Sequence, residues 1–226
     1  MTRVVALLGH PVSHSLSPRM QNAAFAARGL DWTYVALDVE PDRLEEAVRG
    51  LDALGFAGAN VTAPHKQAVA RLVGSDLPSV NTLVAGGAAY STDTAILEQV
   101  AQCNYPVILG DGGAAAAFRH VLPEARVYSR RTSWPPDVSD ADVVINATPV
   151  HDAVLVELRP DQTLIDLPYP RTATADVAAK NGATVLDGLD VLVAQGAQSF
   201  ELWTGIPAPT AVMRAAVDAG VVAGSA

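Results

Sequence analysis

The sequence has 226 residues, half of them hydrophobic and only 17% charged. This length allows one large domain or two small ones, and the composition supports a sizeable core and excludes a disordered chain. The formal charge of −9 argues against nucleic acid as a partner. It does not exclude an anionic small molecule, whose binding depends on the local charge of its site and not on the net charge of the protein. No apolar run reaches the roughly 20 residues that span a bilayer, and the amino-terminal run is too short for a signal peptide. The single cysteine, Cys103, fits a reducing compartment, so we expect a cytoplasmic protein without a membrane partner.

Strand and helix patterns alternate through the first hundred residues. The sequence predicts strands over Val4–Leu8, Trp32–Val39 and Ala57–Thr62, and helices over Ser17–Arg28, from Pro41 onward and over Pro64–Val73. Ser17 followed by Pro18 predicts a helix N-cap with proline at the first helical position, and Gly29 predicts the end of that helix. Gly86-Gly87 predicts a hairpin turn. These elements together indicate a compact α/β unit.

A second α/β unit is predicted from about Tyr105 onward. Its short apolar strands are expected at Pro106–Leu109, Arg126–Tyr128, Val143–Ala147, Thr163–Leu167 and Thr184–Leu186. This pattern is typical of a parallel, doubly wound sheet. The segment between Tyr128 and Val143 is too short for a full crossover helix with its loops, so we expect a reduced Rossmann-like domain. Helices are predicted over Leu189–Thr204 and Thr210–Ala219.

Two polar clusters follow predicted strands in the first unit. The segment NVTAPHK, Asn60 to Lys66, places Thr62, His65 and Lys66 where a strand gives way to a helix. The segment STD, Ser91 to Asp93, occupies a similar position. Lys66 and Asp93 together would give a cationic proton donor and its charge partner. Taken singly, however, a lysine is more often an exposed surface residue and an aspartate a helix-start carboxylate.

A glycine-rich segment follows the first strand of the second unit. Gly110, Gly112 and Gly113 would allow a tight turn and let the backbone approach a pyrophosphate at a helix N-terminus. The pattern G-x-G-G-A is incomplete, and a plain structural turn stays open. Asp111 within it would repel a phosphate unless its side chain points away.

The next strand ends without an acidic residue. Ser129, Arg130 and Arg131 follow it, whereas a site for NAD usually has Asp or Glu here to bind the ribose hydroxyls. Guanidinium groups suit a 2′-phosphate, so the turn favours NADP(H) over NAD(H). A solvated basic turn is the alternative.

Hydroxyl and amide side chains lie at several other edges of the first unit. Ser15 and Ser17 flank Leu16 beside a predicted helix start, where they could hold a carboxylate, although Ser17 could equally be a simple cap. Neutral hydrogen-bonding groups at other edges would suit a polyol acid: Asn60, Thr62, Asn81 and Thr82.

Taken in chain order, these motifs resemble those of the shikimate dehydrogenase family. The resemblance runs nearly from end to end, and NVTAPHK and QGAQSFELWTG are its most specific segments. The others are SHSLSP, VNT, STD, the glycine loop, NATP, DLPYP and DGLDVLV. The family often has alanine where Asp111 stands, and its members are usually longer, chiefly before Asn81 and after Arg131.

The resemblance implies NADPH-dependent reduction of 3-dehydroshikimate to shikimate, in aromatic amino-acid biosynthesis. It implies a substrate domain over 1–94, a Rossmann-like NADP domain over 95–205, and a carboxyl-terminal helix over 206–226 that returns to the first domain. Lys66 and Asp93 would be the catalytic pair. The residues that would bind substrate are Ser15, Ser17, Thr62, Asn81, Tyr169 and Gln195, and Ala114, Thr148 and Gly188 would join the glycine loop and Ser129–Arg131 at the cofactor. No metal is expected, and monomer and homodimer stay open.

Two other functions remain open from the sequence. One is a quinate or shikimate dehydrogenase that uses NAD. The other is a shikimate-binding protein whose redox activity is weak or lost because its nucleotide domain is reduced.

Overall fold

The structure is a computed structural model that describes residues 1–224. The chain forms two compact units. The first contains Met1–Thr92 and the chain from Val193 on, and the second contains Asp93–Leu192.

The elements follow one another in mixed α/β order. The strands are β1 (Arg3–Gly9), β2 (Trp32–Asp38), β3 (Gly58–Val61), β4 (Thr82–Val84), β5 (Ala88–Tyr90), β6 (Pro106–Leu109), β7 (Arg126–Tyr128), β8 (Val143–Asn146), β9 (Thr163–Asp166) and β10 (Thr184–Leu186). The α-helices are α1 (Ser17–Ala27), α2 (Leu44–Ala53), α3 (Lys66–Leu72), α4 (Gly113–Val121), α5 (Ala173–Lys180), α6 (Gly188–Thr204) and α7 (Thr210–Gly224). Short 3₁₀ turns cover Pro41–Arg43 and Ala95–Gln99.

The sheet of the first unit has the strand order β2-β1-β3-β4-β5. Strands β1, β2 and β3 are parallel, and β4 and β5 add an antiparallel hairpin. Because side chains alternate along a strand, one face of this sheet carries an apolar set that packs with α2 and α3. The resulting core contains Ala6, Leu8, Ala59 and Val61 from the strands, together with Leu44, Leu51 and Val69 from the helices.

The opposite face of this sheet is covered by α1 and by the part of α6 that belongs to the first unit. Phe25 of α1 stacks on Phe200 of α6 with ring centroids 5.4 Å apart. The indole of Trp203 donates a hydrogen bond of 2.9 Å to the carbonyl of Leu83. Helix α7 packs against α1. The carboxyl-terminal part of the chain therefore completes the first unit.

The second unit contains five parallel strands in the order β10-β9-β8-β6-β7. No helix lies between β7 and β8, as the short spacing predicts, and none lies between β8 and β9. These two connections are coil that supplies apolar side chains to the sheet instead. Val138 and Ala141 from the first, and Val156 and Leu158 from the second, join the same core as Leu164 and Ala175. Coil thus replaces crossover helices on this face.

The predicted α/β class and the parallel second sheet are confirmed, but two local predictions need correction and one helix was not predicted. Leu16, not Ser17, is the N-cap of α1, and Ser17 is the first helical residue. The helix expected after Asp93 is only a 3₁₀ turn, Ala95–Gln99. Helix α5 was not predicted, although Thr172 caps it by accepting a bond from the Ala175 amide.

The functional domain boundaries expected at residues 94 and 205 stay predictions. As compact units, the two parts divide after Thr92 and after Leu192, so the second division falls inside α6. None of the helices within residues 1–224 is both long and apolar enough to cross a membrane.

Candidate active site

The NVTAPHK segment forms a rigid corner between β3 and α3. The Thr62 amide donates to the carbonyl of Leu8 at 2.8 Å, and the His65 amide donates to the carbonyl of Thr62 at 2.9 Å. The His65 ring is buried, with Nε2 lying 2.7 Å from the carbonyl oxygen of Val39, which can only accept. His65 is therefore a packed structural residue. The corner fixes the half-buried Lys66 at the first position of α3.

A second corner brings the SHSLSP segment to the start of α1. Ser17 is buried and Ser15 is half-buried. The Ser17 amide donates to the Ser15 hydroxyl at 3.2 Å. Because Leu16 and not Ser17 is the N-cap of α1, simple capping does not account for this serine.

Asn60 is the centre of a buried hydrogen-bond network on the α1 and α6 face of the first sheet. Its Oδ1 accepts a bond of 2.9 Å from the Tyr34 hydroxyl. Its Nδ2 lies 3.0 Å from each of three oxygens, the carbonyl of Asn81 and the hydroxyls of Thr82 and Ser199. The network therefore ties three strands to α6.

Asn81 and Gln195, both predicted to bind substrate, are brought together within the first unit. Asn81 Oδ1 accepts from the Thr92 amide at 2.7 Å and from the Thr82 hydroxyl at 3.0 Å. Its Nδ2 donates to the Thr92 hydroxyl at 3.0 Å and lies 3.4 Å from Gln195 Oε1. Two donors on one oxygen hold the amide in a single orientation.

The STD segment contributes three polar residues in a row. Thr92 belongs to the network just described, and Asp93, the first residue of the second unit, is buried. The hydroxyl of Ser91 is also buried and has no hydrogen-bond partner among the described residues. A buried hydroxyl without a partner costs about 1–3 kcal/mol, so a polar ligand that reached it would offset this cost.

The glycine loop of the second unit turns sharply at Gly110. Gly110 has φ +117°, and a Cβ on it would lie 2.9 Å from the carbonyl oxygen of Ala147. Gly112 is the N-cap of α4, and a Cβ built there meets nothing within 4 Å. The backbone at Gly112 is thus open to a ligand, as a pyrophosphate site requires. Gly113 and Ala114 begin α4.

The turn after β7 presents hydroxyl and guanidinium groups beside the glycine loop. Ser129 Oγ lies 3.0 Å from Thr132 Oγ1 and accepts a bond from the Arg131 amide at 3.3 Å. A guanidinium nitrogen of Arg131 lies 3.6 Å from a carboxylate oxygen of Asp111. A cavity of about 460 Å³ is lined by Asp111, Arg119, Pro123, Ala125, Val127, Ser129, Thr132 and Ser133. Asp111 therefore faces the space beside the basic turn, Ser129–Arg131, and does not point away from it.

Thr148 lies where a second buried network begins, at the carboxyl ends of β8 and β9. Asn146 Oδ1 accepts from the Thr148 amide at 3.1 Å and from its hydroxyl at 2.7 Å. Asn146 Nδ2 donates to Asp166 at 2.7 Å, and the Thr172 hydroxyl donates to the other carboxylate oxygen at 2.8 Å. Burial raises the pKa of Asp166, although both hydrogen bonds act to lower it.

Gly188 and the half-buried Tyr169 lie near each other in the second unit. A Cβ on Gly188 would lie 2.1 Å from the carbonyl oxygen of Pro168, so this position excludes any side chain. The packing of α6 against the DLPYP segment thus accounts for Gly188 without a ligand. Among the described residues, no group of three or more His, Cys, Asp or Glu side chains could hold a metal ion.

Comparisons with known proteins agree with the motifs. Residues 7–82 match the sequence profile of the shikimate dehydrogenase substrate binding domain, and residues 188–217 match that of the shikimate 5′-dehydrogenase C-terminal domain. A relative named shikimate dehydrogenase (NADP(+)), from Anaeromyxobacter dehalogenans strain 2CP-C, is 38% identical over 96% of each chain. The chain belongs to the shikimate dehydrogenase family.

Solved structures of shikimate dehydrogenases have the same fold. A crystal structure in complex with NADP+ has a TM-score of 0.82 at 33% identity and covers 96% of this chain and 94% of the other. The Thermus thermophilus enzyme, in complex with NADP(H) and shikimate, has a TM-score of 0.82 at 27% identity, covering 97% and 100%.

This shikimate dehydrogenase family member is shorter than its relatives. Its alignment with the Anaeromyxobacter protein runs over 268 positions, whereas the chain has 226 residues. The relative therefore carries extra residues inside the matched region.

Sequence reasoning missed the residues that surround the predicted ones. Tyr34, Thr92 and Ser199 complete the network around Asn60 and Asn81, and Trp203 fixes α6 to β4. Ser199 and Trp203 lie within the QGAQSFELWTG segment, so that motif carried a signal for them. Tyr34 carried none, because nothing in its local sequence shows that it reaches β3.

Proposed function

We propose that this protein catalyses the NADPH-dependent reduction of 3-dehydroshikimate to shikimate. The observation that carries the proposal is 38% identity, over 96% of both chains, to a protein named shikimate dehydrogenase (NADP(+)). The corner that fixes Lys66 and the network that orients Asn81 support it, because both belong to the motifs on which the family resemblance rests.

The substrate is a ring acid with hydroxyl groups, and the first unit offers matching partners. Ser15 and Ser17 would bind the carboxylate through their hydroxyls. Thr62, Asn81 and Gln195 would bind ring hydroxyls, and Tyr169 of the second unit would bind one as well. The fixed orientation of the Asn81 amide favours this role, since a pre-oriented group loses little conformational entropy when it binds.

The second unit offers groups that would bind the phosphates of NADP(H). The glycine loop, with Gly110, Gly112, Gly113 and Ala114, would hold the pyrophosphate, because Gly112 leaves its backbone open. The turn Ser129–Arg131 would hold the 2′-phosphate through hydroxyl and guanidinium groups. Thr148 and Gly188 would line the remainder of the cofactor site, Gly188 through its backbone alone.

Lys66 and Asp93 would perform the proton chemistry. When bound, the reduced nicotinamide supplies the hydride that the carbonyl carbon of the substrate accepts. The Lys66 ammonium would stabilise the negative charge that develops on the carbonyl oxygen and donate a proton to it. Asp93 would orient Lys66 and share the hydroxyl network. A positioned general acid of this kind contributes roughly 10²–10⁴ in rate.

The proposal is tested by mixing the purified protein with shikimate and either NADP+ or NAD+ and following nicotinamide absorbance. Turnover with NADP+ that exceeds turnover with NAD+ supports it. Preference for NAD+, or for quinate in place of shikimate, would select the alternative dehydrogenase. The carboxylate of Asp111, beside the basic turn, favours that alternative. Binding of shikimate without turnover would select the non-redox binding protein.

The setting of the protein belongs to the same proposal. A cytoplasmic location follows from a biosynthetic role with a soluble cofactor and from the single cysteine in the sequence. The proposed partners are shikimate and 3-dehydroshikimate, with neither nucleic acid nor membrane. Sedimentation of the purified protein would decide between monomer and homodimer.

A further inference from the structure

Asp111 lies at an unusual place for a carboxylate, inside the glycine loop between Gly110 and Gly112. Its Oδ2 is 3.6 Å from Nη1 of Arg131. The two residues come from the loops that follow the neighbouring parallel strands β6 and β7, so both belong to the carboxyl edge of the sheet. Their side chains are 46% and 86% exposed, which leaves this ion pair accessible to a ligand.

The surroundings of this pair are those of the basic turn. Asp111 lines the same cavity of about 460 Å³ as Ser129 and Thr132, whose hydroxyl oxygens are 3.0 Å apart. Arg119, from the last turn of α4, lines it as well. The cavity therefore combines hydroxyls and the guanidinium of Arg119, which suit a phosphate, with a carboxylate, which does not.

We propose that Asp111 is a specificity-determining residue that weakens binding of a 2′-phosphorylated dinucleotide relative to the unphosphorylated one. The inference rests on the proposed function, because it assumes that the basic turn lies beside the adenosine ribose. It deepens that function by assigning to one residue a measurable effect against the 2′-phosphate.

Two physical effects act in the same direction. A phosphate monoester carries about −1.5 to −2 charges at neutral pH, so a carboxylate that shares its site repels it. A phosphate must also take Arg131 from its present partner. A dinucleotide without the 2′-phosphate suffers neither effect, and its ribose hydroxyls can donate hydrogen bonds to a carboxylate.

The size of the effect is limited by exposure. Because water screens exposed charges, an ion pair of this kind contributes little free energy. With direct repulsion added, removing the charge of Asp111 is expected to tighten binding of NADP+ about three- to tenfold.

The test measures binding by titration calorimetry and needs no turnover. Asp111→Asn keeps the size of the side chain and removes its charge. The variant is expected to bind NADP+ and 2′,5′-ADP about three- to tenfold more tightly than the wild type, with unchanged or weaker affinity for NAD+ and 5′-AMP. Unchanged or weaker affinity for NADP+, or an equal gain for both dinucleotides, would overturn the proposal.

Asp161→Asn is the matched control. Asp161 forms an exposed ion pair of 3.1 Å with Arg159 in the same unit, and it does not line the cavity. This variant is expected to bind all four nucleotides as the wild type does. A gain for NADP+ in this control equal to that of Asp111→Asn would show a general charge effect and overturn the local one.

The Arg131→Ala background tests the route through the ion pair. If Arg131 carries part of the effect, Asp111→Asn gains less affinity for NADP+ in that background than in the wild type. An equal gain in both would overturn the competition between Asp111 and the phosphate for Arg131. A wild-type protein that binds neither dinucleotide would refute the cofactor assignment itself, whereas normal NADP+ binding with an inert Asp111→Asn refutes only the present inference.

Discussion

The hydroxyl of Tyr34 on β2 reaches across β1 and donates a hydrogen bond of 2.9 Å to Asn60 on β3. Tyr34 is paired with Val5 and Asn60 with Leu7, two positions that lie on the same face of β1. Asn60 in turn contacts Thr82 and Ser199, so the bond links the outermost parallel strand to the network beside Asn81. The first unit thus orients a candidate substrate residue from 47 residues away along the chain, through side chains that themselves need not touch the substrate.

Replacing Tyr34 with phenylalanine tests the contribution of this network to stability. The change removes the donor to Asn60 Oδ1 while it keeps the ring, so we expect the free energy of unfolding to fall by about 1–2 kcal/mol. Chemical denaturation measures it. Tyr105→Phe is the matched control, because Tyr105 is 64% exposed, and it should leave stability unchanged. Equal stability of both variants would contradict the role of the network.

Gly58→Ala tests the close approach of α6 to the first sheet. A Cβ at Gly58 would lie 2.3 Å from the carbonyl oxygen of Leu83 and 2.5 Å from Nε1 of Trp203. These two atoms form a hydrogen bond with each other. We expect a loss of about 1–3 kcal/mol, measured by thermal or chemical unfolding. Gly50→Ala, in α2 with nothing within 4 Å of the added carbon, should instead stabilise the protein by about 1 kcal/mol. A neutral Gly58→Ala would mean that α6 can move away at little cost.

Arg130→Ala tests the basic turn as the recognition site for the 2′-phosphate. Loss of a guanidinium that pairs with this phosphate should raise the KM for NADP+ about tenfold and leave the KM for NAD+ nearly unchanged. Steady-state kinetics with shikimate at saturation measures both values. Arg159→Ala, in the connection between β8 and β9, serves as the control. An unchanged KM for NADP+ would remove Arg130 from the cofactor site.

Asp166→Asn tests the buried network at the carboxyl ends of β8 and β9. Burial raises the pKa of Asp166 above the ordinary value of about 3.9. At pH values between the pKa of the unfolded state and the higher pKa of the folded state, the folded state binds more protons. Asp166 therefore makes the free energy of unfolding fall as pH rises through this window. The asparagine variant has no titrating group at this position and so lacks this pH-dependent loss of stability. Its stability relative to the wild type should therefore increase with pH through that window.

Denaturant unfolding at several pH values from about 3 to 7 follows this difference. The matched control is Asp152→Asn, an exposed aspartate of the same unit. A difference between Asp166→Asn and wild type that stays constant with pH would show that the carboxyl group is not perturbed by burial.

Local signals account for what the sequence predicts well. The apolar strands with glycine or polar ends gave the parallel sheet of the second unit, and the short spacing after Tyr128 predicted a connection without a helix. The strand, glycine loop and helix at Gly110–Gly113 follow from residue types alone, because only glycine suits φ +117° at Gly110.

Contacts between distant segments account for what the sequence does not predict. Ser199 meets Asn60 across 139 residues, and the approach of Asp111 to Arg131 depends on how two loops leave neighbouring strands. Helix α5 was not predicted because half of its eight residues are alanine and they show little amphipathic pattern, although Thr172 was an available cap signal. Pro18 predicts the start of α1 to within one residue, but the N-cap is Leu16 and not Ser17.

The central claim is that the Lys66 ammonium acts on the reacting carbonyl, and Lys66→Met tests it most directly. The chain has two lysines, so Lys180→Met, on the exposed last turn of α5, is a natural control. The decisive measurement is the rate of NADPH formation from shikimate in a single turnover, beside the Kd for shikimate of the same variant. We expect Lys66→Met to lower the rate by about 10²–10⁴ while Kd changes less than tenfold, and Lys180→Met to match the wild type. A near-normal rate in Lys66→Met would contradict the account.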